Sequence, residues 1–181
     1  MKQTVRIIGG QYRGKKLSFP NIEGLRPTPD RVKETLFNWL MHDIRGARCL
    51  DAFAGSGALG FEAYSRGAAR VVLVEAALKA FNNLQTITTA FGSNCLSVVH
   101  ADAEDYFKRG VESFDIIFLD PPFAKDYLSR CLETLANSKL LVKGGLVYLE
   151  SAEKLELDST KWQERKSKRA GHVNYSLYEK R

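Results

Sequence analysis

The stretch LDAFAGSGALG, residues 50–60, decides the fold. Its first residues belong to an apolar run, CLDAF (49–53), that reads as a strand, and Gly55, Gly57 and Gly60 then follow in the order G-x-G-x-x-G before a helix-like segment over 58–66. Glycines at that spacing let a chain turn sharply out of a strand, bring its backbone close to a ligand and pack a helix tightly on the sheet. Glu75 adds a second observation. It closes the next apolar run, VVLVE (71–75), where a carboxylate about 20 residues past the loop can accept from both hydroxyls of a ribose. Together they predict a nucleoside-containing cofactor at the end of the first strand.

Further along, LSVVH (96–100), FDIIFLD (114–120) and GLVYLE (145–150) are short, almost continuously apolar runs. Strands apolar on both faces are covered on both faces, and segments near 77–91, 103–109 and 126–137 supply the covering helices. This alternation predicts an α/β fold with a doubly wound, mostly parallel sheet and right-handed crossovers. In the tail, GHVNYSLYEKR alternates apolar and polar residues after Gly171 and predicts an antiparallel strand pair closing one sheet edge. At the front, TVRIIGG and GKKLSF predict a β-hairpin exposing Arg6, Arg13, Lys15 and Lys16. The following LRPTPDRVKETLFNWLM predicts a helix with Thr28 as N-cap and Pro29 in its first position.

The net charge of +6 is unevenly placed. Residues 1–34 carry eight Lys or Arg against three acids, residues 160–181 carry seven against two, and the stretch between is mildly acidic. Two basic ends around an acidic middle suit a protein whose ends hold a polyanion while its centre does chemistry. The three cysteines and three histidines are scattered, so neither a disulfide framework nor a metal site is expected. No window approaches a membrane span and MKQTVRIIGG lacks a secretory apolar core, which makes the cytoplasm the expected location.

The glycine loop fits two cofactors. A dinucleotide would set its pyrophosphate on the helix N-terminus, whereas S-adenosylmethionine carries ammonium and sulfonium charge and needs acceptors. Asp51 at the mouth of the loop repels the first and attracts the second. Asp102, just past the third strand in HADAEDYF, is placed either to accept from an adenine amino group or to cap the helix from Ala103, and one residue can do both.

The run FDIIFLD ends in Asp120-Pro121-Pro122-Phe123. Proline removes a ladder donor and fixes φ, so the strand stops there and a stiff loop begins. An exocyclic aromatic amine is a weak nucleophile until its two N–H bonds are held by acceptors and its lone pair is turned to the methyl carbon. The Asp120 carboxylate and the Pro121 carbonyl are such acceptors, frozen by the prolines, and Phe123 offers a face for a flipped base.

AFAGSGALG, VVLVE, HADA and LDPPF in this order resemble the class I S-adenosylmethionine-dependent methyltransferases that modify exocyclic amines. With RIIGGQYRGKKL, LRPTPDRVKETLFNWL and the closing GHVNYSLYEKR, the whole chain resembles the bacterial 16S ribosomal RNA (guanine(966)-N(2))-methyltransferase family. The resemblance implies a seven-stranded sheet, with residues 1–28 a basic hairpin extension and 29–181 the methyltransferase domain. It implies Asp51, Ala54, Gly55, Ser56 and Gly57 at the methionine end of S-adenosyl-L-methionine, Glu75 at the ribose, Asp102 and Ala103 at the adenine, and Asp120 to Phe123 around the guanine. Arg6, Arg13, Lys15, Lys16, Arg26, Arg31, Lys168 and Arg169 would grip phosphates of 16S rRNA, positioning the enzyme without reading the base. The expected substrate is the assembled or nearly assembled small ribosomal subunit, met by a monomer without a metal.

Overall fold

The computed structural model describes residues 3–121 and 125–181, so the roles expected of Pro122 and Phe123 fall outside the described residues. The chain runs β1 (Gln3–Arg6), β2 (Lys16–Phe19), α1 (Asp30–Trp39), β3 (Arg48–Asp51), α2 (Ala58–Ser65), β4 (Arg70–Glu75), α3 (Leu78–Phe91), β5 (Leu96–His100), α4 (Ala103–Arg109), β6 (Phe114–Leu119), α5 (Lys125–Asn137), β7 (Leu141–Ser151), β8 (Trp162–Ala170) and β9 (Val173–Lys180). Seven strands form one sheet in the order β5-β4-β3-β6-β7-β9-β8. The first five are parallel, while β9 pairs antiparallel with β7 and β8 antiparallel with β9, as the alternating tail predicts.

The continuous apolar character of the strands is explained by two separate cores. Residues of one parity, Cys49, Leu73, Phe118 and Tyr148, pack with Leu36 and Phe37 of α1, Phe61 of α2 and Leu84 of α3. Residues of the other parity, Leu50, Val72, Ile117 and Val147, pack with Phe107 of α4 and with Leu128, Leu132 and Leu135 of α5. Strands buried on both faces have no polar side to show, so period-2 alternation vanishes in β3, β4 and β6, while the edge strand β8 is exposed along most of its length.

The hairpin β1–β2 adds Val5, Ile7, Leu17 and Phe19 to the first of these cores. Its connection, residues 7–15, is tied down on the end of α2. Glu62 accepts from the backbone N–H groups of Ile8 (3.0 Å) and Gly9 (2.9 Å), and the Ser65 hydroxyl donates to the Gly9 carbonyl (2.6 Å). Glu62 also pairs with Arg66 (2.9 Å) and with the fully buried Lys33 of α1 (3.7 Å), whose ammonium donates to the Arg6 carbonyl.

The start of α1 departs from expectation. Pro29, with extended φ −58° and ψ 147°, takes the N-cap position, its carbonyl accepts from Val32 and Lys33, and no side chain caps the helix. Thr28 therefore lies one residue outside the cap and is buried.

Candidate active site

In this order the chain direction across the sheet reverses between β3 and β6, and the crevice beyond the carboxyl ends of such strands is where open α/β sheets bind ligands. The loop out of β3 lies there. Ala54 N–H donates to Val74 O (2.9 Å) and Gly57 N–H to Ala54 O (2.7 Å), which folds the loop back onto β4. Gly57 has φ +79°, and a Cβ on it would stand 2.3 Å from the Phe61 ring. At Gly60 a Cβ would meet Leu73 at 2.8 Å and the Asp51 carboxylate at 3.2 Å. The first of these glycines permits the turn and the other permits α2 to rest on β3 and β4. Ala54 and Ser56 are buried beneath them.

Glu75 ends β4 with each carboxylate oxygen on a backbone donor, Oε2 on Gly55 N–H (2.8 Å) and Oε1 on Ala77 N–H (2.7 Å). Each oxygen keeps a second lone pair, so the carboxylate is fixed in place and still able to accept two hydroxyls. At Asp51, 3% exposed, Oδ2 accepts from Gly60 N–H at 2.9 Å. Burial pushes its carboxyl up to about 7. The Gly60 hydrogen bond opposes that rise, the negative Glu75 adds to it, and a bond from the Phe53 backbone opposes it. Such a carboxyl is poised to ionise when a cation arrives beside it.

Asp102 caps α4 by accepting from Glu104 N–H (2.8 Å), and its other oxygen accepts from the Tyr127 hydroxyl (2.8 Å). The capping role is thus realised in the geometry, while Ala103, buried, opens the helix with a first-turn N–H that needs an outside partner. Tyr127 meets Phe53 edge to face at 5.5 Å, joining α5 to the glycine loop across the crevice. Neither ring stands out in the sequence: Tyr127 lies in the segment 126–137 that reads as a covering helix and Phe53 in the run CLDAF that reads as a strand.

At the end of β6, Asp120 follows Phe118 by two residues and shares its side of the sheet. Burial, with the negative charges of Glu150 and Asp51, pushes the Asp120 carboxyl well above the usual carboxylate range. Glu150, one residue before the end of β7, takes the position next to Asp120, since Phe118 pairs with Tyr148 and Leu119 with Leu149. Its Oε1 accepts from the Tyr148 hydroxyl at 2.7 Å. Among the described residues no lysine or arginine forms an ion pair with Asp51, Asp120 or Glu150. The same residues hold no cluster of three or more His, Cys, Asp or Glu able to bind a metal.

The basic residues lie in three places. Lys168 pairs across the sheet with Tyr175, which pairs with Glu150, and Arg169 is next along β8, so both stand at the carboxyl edge. Arg26 follows Leu25, whose side chain would touch a Cβ on Gly55 at 3.3 Å. Arg13 and Lys15 instead sit on the connection bonded to Ser65, at the far end of α2 and about 12 Å from the glycine loop for an eight-residue helix. Arg6 and Lys16 lie between, beside the first turn of α1 that carries Arg31, and all eight are exposed.

A parallel sheet of this order with a glycine loop after β3, an acid closing β4 and an acid followed by proline closing β6 defines a class I methyltransferase. Solved structures agree. The yhhF protein of Escherichia coli superposes with a TM-score of 0.89 at 40% identity, covering 98% of each chain. The chain belongs to the family described as Conserved hypothetical protein 95, whose model matches residues 5–179. Its relatives include the Ribosomal RNA small subunit methyltransferase D of Haemophilus influenzae, 43% identical over 98% of this chain and 95% of the relative. The protein of that name in Escherichia coli K12 is 41% identical over 97% of this chain and 90% of its own.

Proposed function

We propose that the protein transfers a methyl group from S-adenosylmethionine to the exocyclic N2 of one guanine in 16S rRNA, guanine 966 in the family it resembles. The observation that carries this reading is the Asp120 carboxyl followed by the carbonyl of the buried Pro121 at the end of β6, the strand beside β3 and its glycine loop. Its support on the substrate side is the near full-length identity to relatives named for small-subunit ribosomal RNA.

The donor set fits the cofactor. Asp51 and the backbone of Gly55 and Gly57 would hold the ammonium and sulfonium end, Glu75 the ribose, and Asp102 with Ala103 the adenine. When bound, the cofactor supplies an electrophilic methyl carbon. Asp120 and the Pro121 carbonyl accept the two N2 hydrogens, which turns the amine lone pair out of the base plane, and their fixed positions avoid reorganisation during transfer. Phe123 is assigned to stack on the base. Asp120 is also the group placed to take the proton that the amine sheds after transfer.

The basic groups fit successive parts of one RNA. Arg26, Lys168 and Arg169 would hold phosphates next to the target, and Arg31, Arg6, Lys16, Arg13 and Lys15 would extend the grip past the first turn of α1 and along the hairpin. No helix among the described residues is long and apolar enough to cross a membrane. We assign the protein to the cytoplasm, acting as a monomer on the assembled or nearly assembled subunit.

The test is methyl transfer from labelled S-adenosylmethionine to unmethylated small subunits, deproteinised 16S RNA and duplex DNA in parallel, followed by nucleoside identification. N2-methylguanosine from the subunits is the expected product. N6-methyladenine, or label in DNA alone, overturns the assignment.

A further inference from the structure

An acceptor pair that holds an amine does not by itself tell guanine N2 from adenine N6, since both are planar amines. The difference lies in the neighbouring ring atom. Guanine carries N1–H beside its amine, so its edge presents adjacent donors, whereas adenine carries a bare N1 acceptor beside N6. A site that selects guanine needs a second acceptor next to the first.

β7 supplies one. Its last pairs with β6 are Phe118 with Tyr148 and Leu119 with Leu149, which puts Glu150 beside Asp120 on the same face of the sheet, about 5 Å away at the backbone. Tyr148, fully buried, donates its hydroxyl to Glu150 Oε1 at 2.7 Å and so fixes the carboxylate at the strand end. Two carboxylates side by side, with no lysine or arginine pairing with either among the described residues, form an arrangement that costs free energy in the free protein. A ligand that brings adjacent N–H donors offsets that cost. Asp120 has its part in amine capture, and Glu150 has none in the reaction described so far.

We propose that Glu150 accepts the N1–H of the target guanine while Asp120 holds its amine, and that this pair selects guanine over adenine. The inference rests on the guanine N2 reading above and adds a residue that reads the base. An ionised Glu150 opposite adenine N1 would set acceptor against acceptor, a contact that rejects the base rather than merely failing to bind it. Hydrogen bonding from N1–H to a carboxylate also leaves more electron density on the adjoining amine, which favours the same product.

The experiment compares small subunits reconstituted with 16S RNA carrying guanine or 2-aminopurine at the target position. 2-Aminopurine keeps the amine at C2 and lacks the N1 hydrogen. Wild-type protein is expected to prefer guanine by roughly 10- to 100-fold in kcat/KM, the cost of one donor missing from a charged acceptor. In Glu150→Gln, whose amide can donate to a bare N1, that preference should shrink to within roughly three-fold while S-adenosylmethionine affinity by calorimetry stays unchanged. A wild-type enzyme that methylates both bases equally overturns the proposal whatever the variant does, as does a variant that keeps the full preference. If wild-type protein methylates no guanine subunit at all, the functional reading fails, and this inference falls with it.

Discussion

Asp51 should make cofactor binding depend on pH in a way that one substitution removes. In the free protein burial and the facing Glu75 push its carboxyl up to about 7 against the hydrogen bonds from Gly60 and Phe53. The folded value lies above the unfolded one of about 3.9, so folding favours the protonated form. Its contribution to stability is present in full below about pH 4 and is lost as pH rises through 7, a change of about 4 kcal/mol for a shift of about three units. A bound ammonium and sulfonium would reverse the preference, because they stabilise the carboxylate. If the ionised form is the one that binds, affinity for S-adenosylmethionine falls roughly fifty-fold from pH 7 to pH 5, and about one proton is released per cofactor bound near pH 5. Over that interval the cofactor's own α-amino group stays largely protonated and does not confuse the result. Calorimetry in two buffers of different ionisation enthalpy measures both the affinity and the proton count. Asp120 and Glu150 are also raised, so the assignment rests on Asp51→Asn, which should bind weakly with little pH dependence. A flat wild-type profile, or a slope that survives in Asp51→Asn, refutes the reasoning.

Asp120→Ala should lower single-turnover methyl transfer by roughly 10²-fold or more and leave cofactor affinity within a few-fold; an active variant removes Asp120 from amine capture. Glu62→Ala strips three N–H donors, those of Ile8, Gly9 and Arg66, of their acceptor and leaves the buried Lys33 ammonium with only the exposed Asp30 carboxylate at 3.5 Å, so thermal unfolding should register a loss of about 3–5 kcal/mol. Adding Lys33→Met to that variant should recover part of the loss, and failure to recover any would place the cost elsewhere than in the buried charge that lost its Glu62 partner. Replacing Arg26, Lys168 and Arg169 with alanine should reduce kcat/KM and the salt dependence of RNA binding, each lost phosphate contact lowering the slope by roughly 0.7–0.9. Neutralising Arg13 and Lys15, at the other end of α2, should reduce the salt slope while leaving kcat at saturating RNA close to wild type. An unchanged slope means that the hairpin turn does not touch RNA.

Where a function is carried by residues close in sequence, the chain can be read directly, and where it is carried by strand register it cannot. The glycine loop, Glu75 and Asp120-Pro121 each announce themselves because turn chemistry demands glycine or proline and because the strand that precedes them is unbroken. The antiparallel tail is legible from the alternation of its sequence alone, since in the sheet β9 is buried on both faces over Tyr175 to Tyr178, Ser176 included. Glu150 was hidden. It closes a strand like any other, and only the order β3-β6-β7 sets it beside Asp120, 30 positions earlier in the chain. The placement of the positive charge was hidden in the same way. Composition counts Arg13 and Lys15 with Arg26, but the bonds of the 7–15 connection to Glu62 and Ser65 carry the first two away from the crevice. At Thr28 the sequence preference for a threonine cap lost to Pro29, whose extended backbone took the cap position and let the helix begin one residue later. The acids that chemistry requires to be near one another thus come from four strand ends, and the sheet order, set by packing on both faces, brings them together.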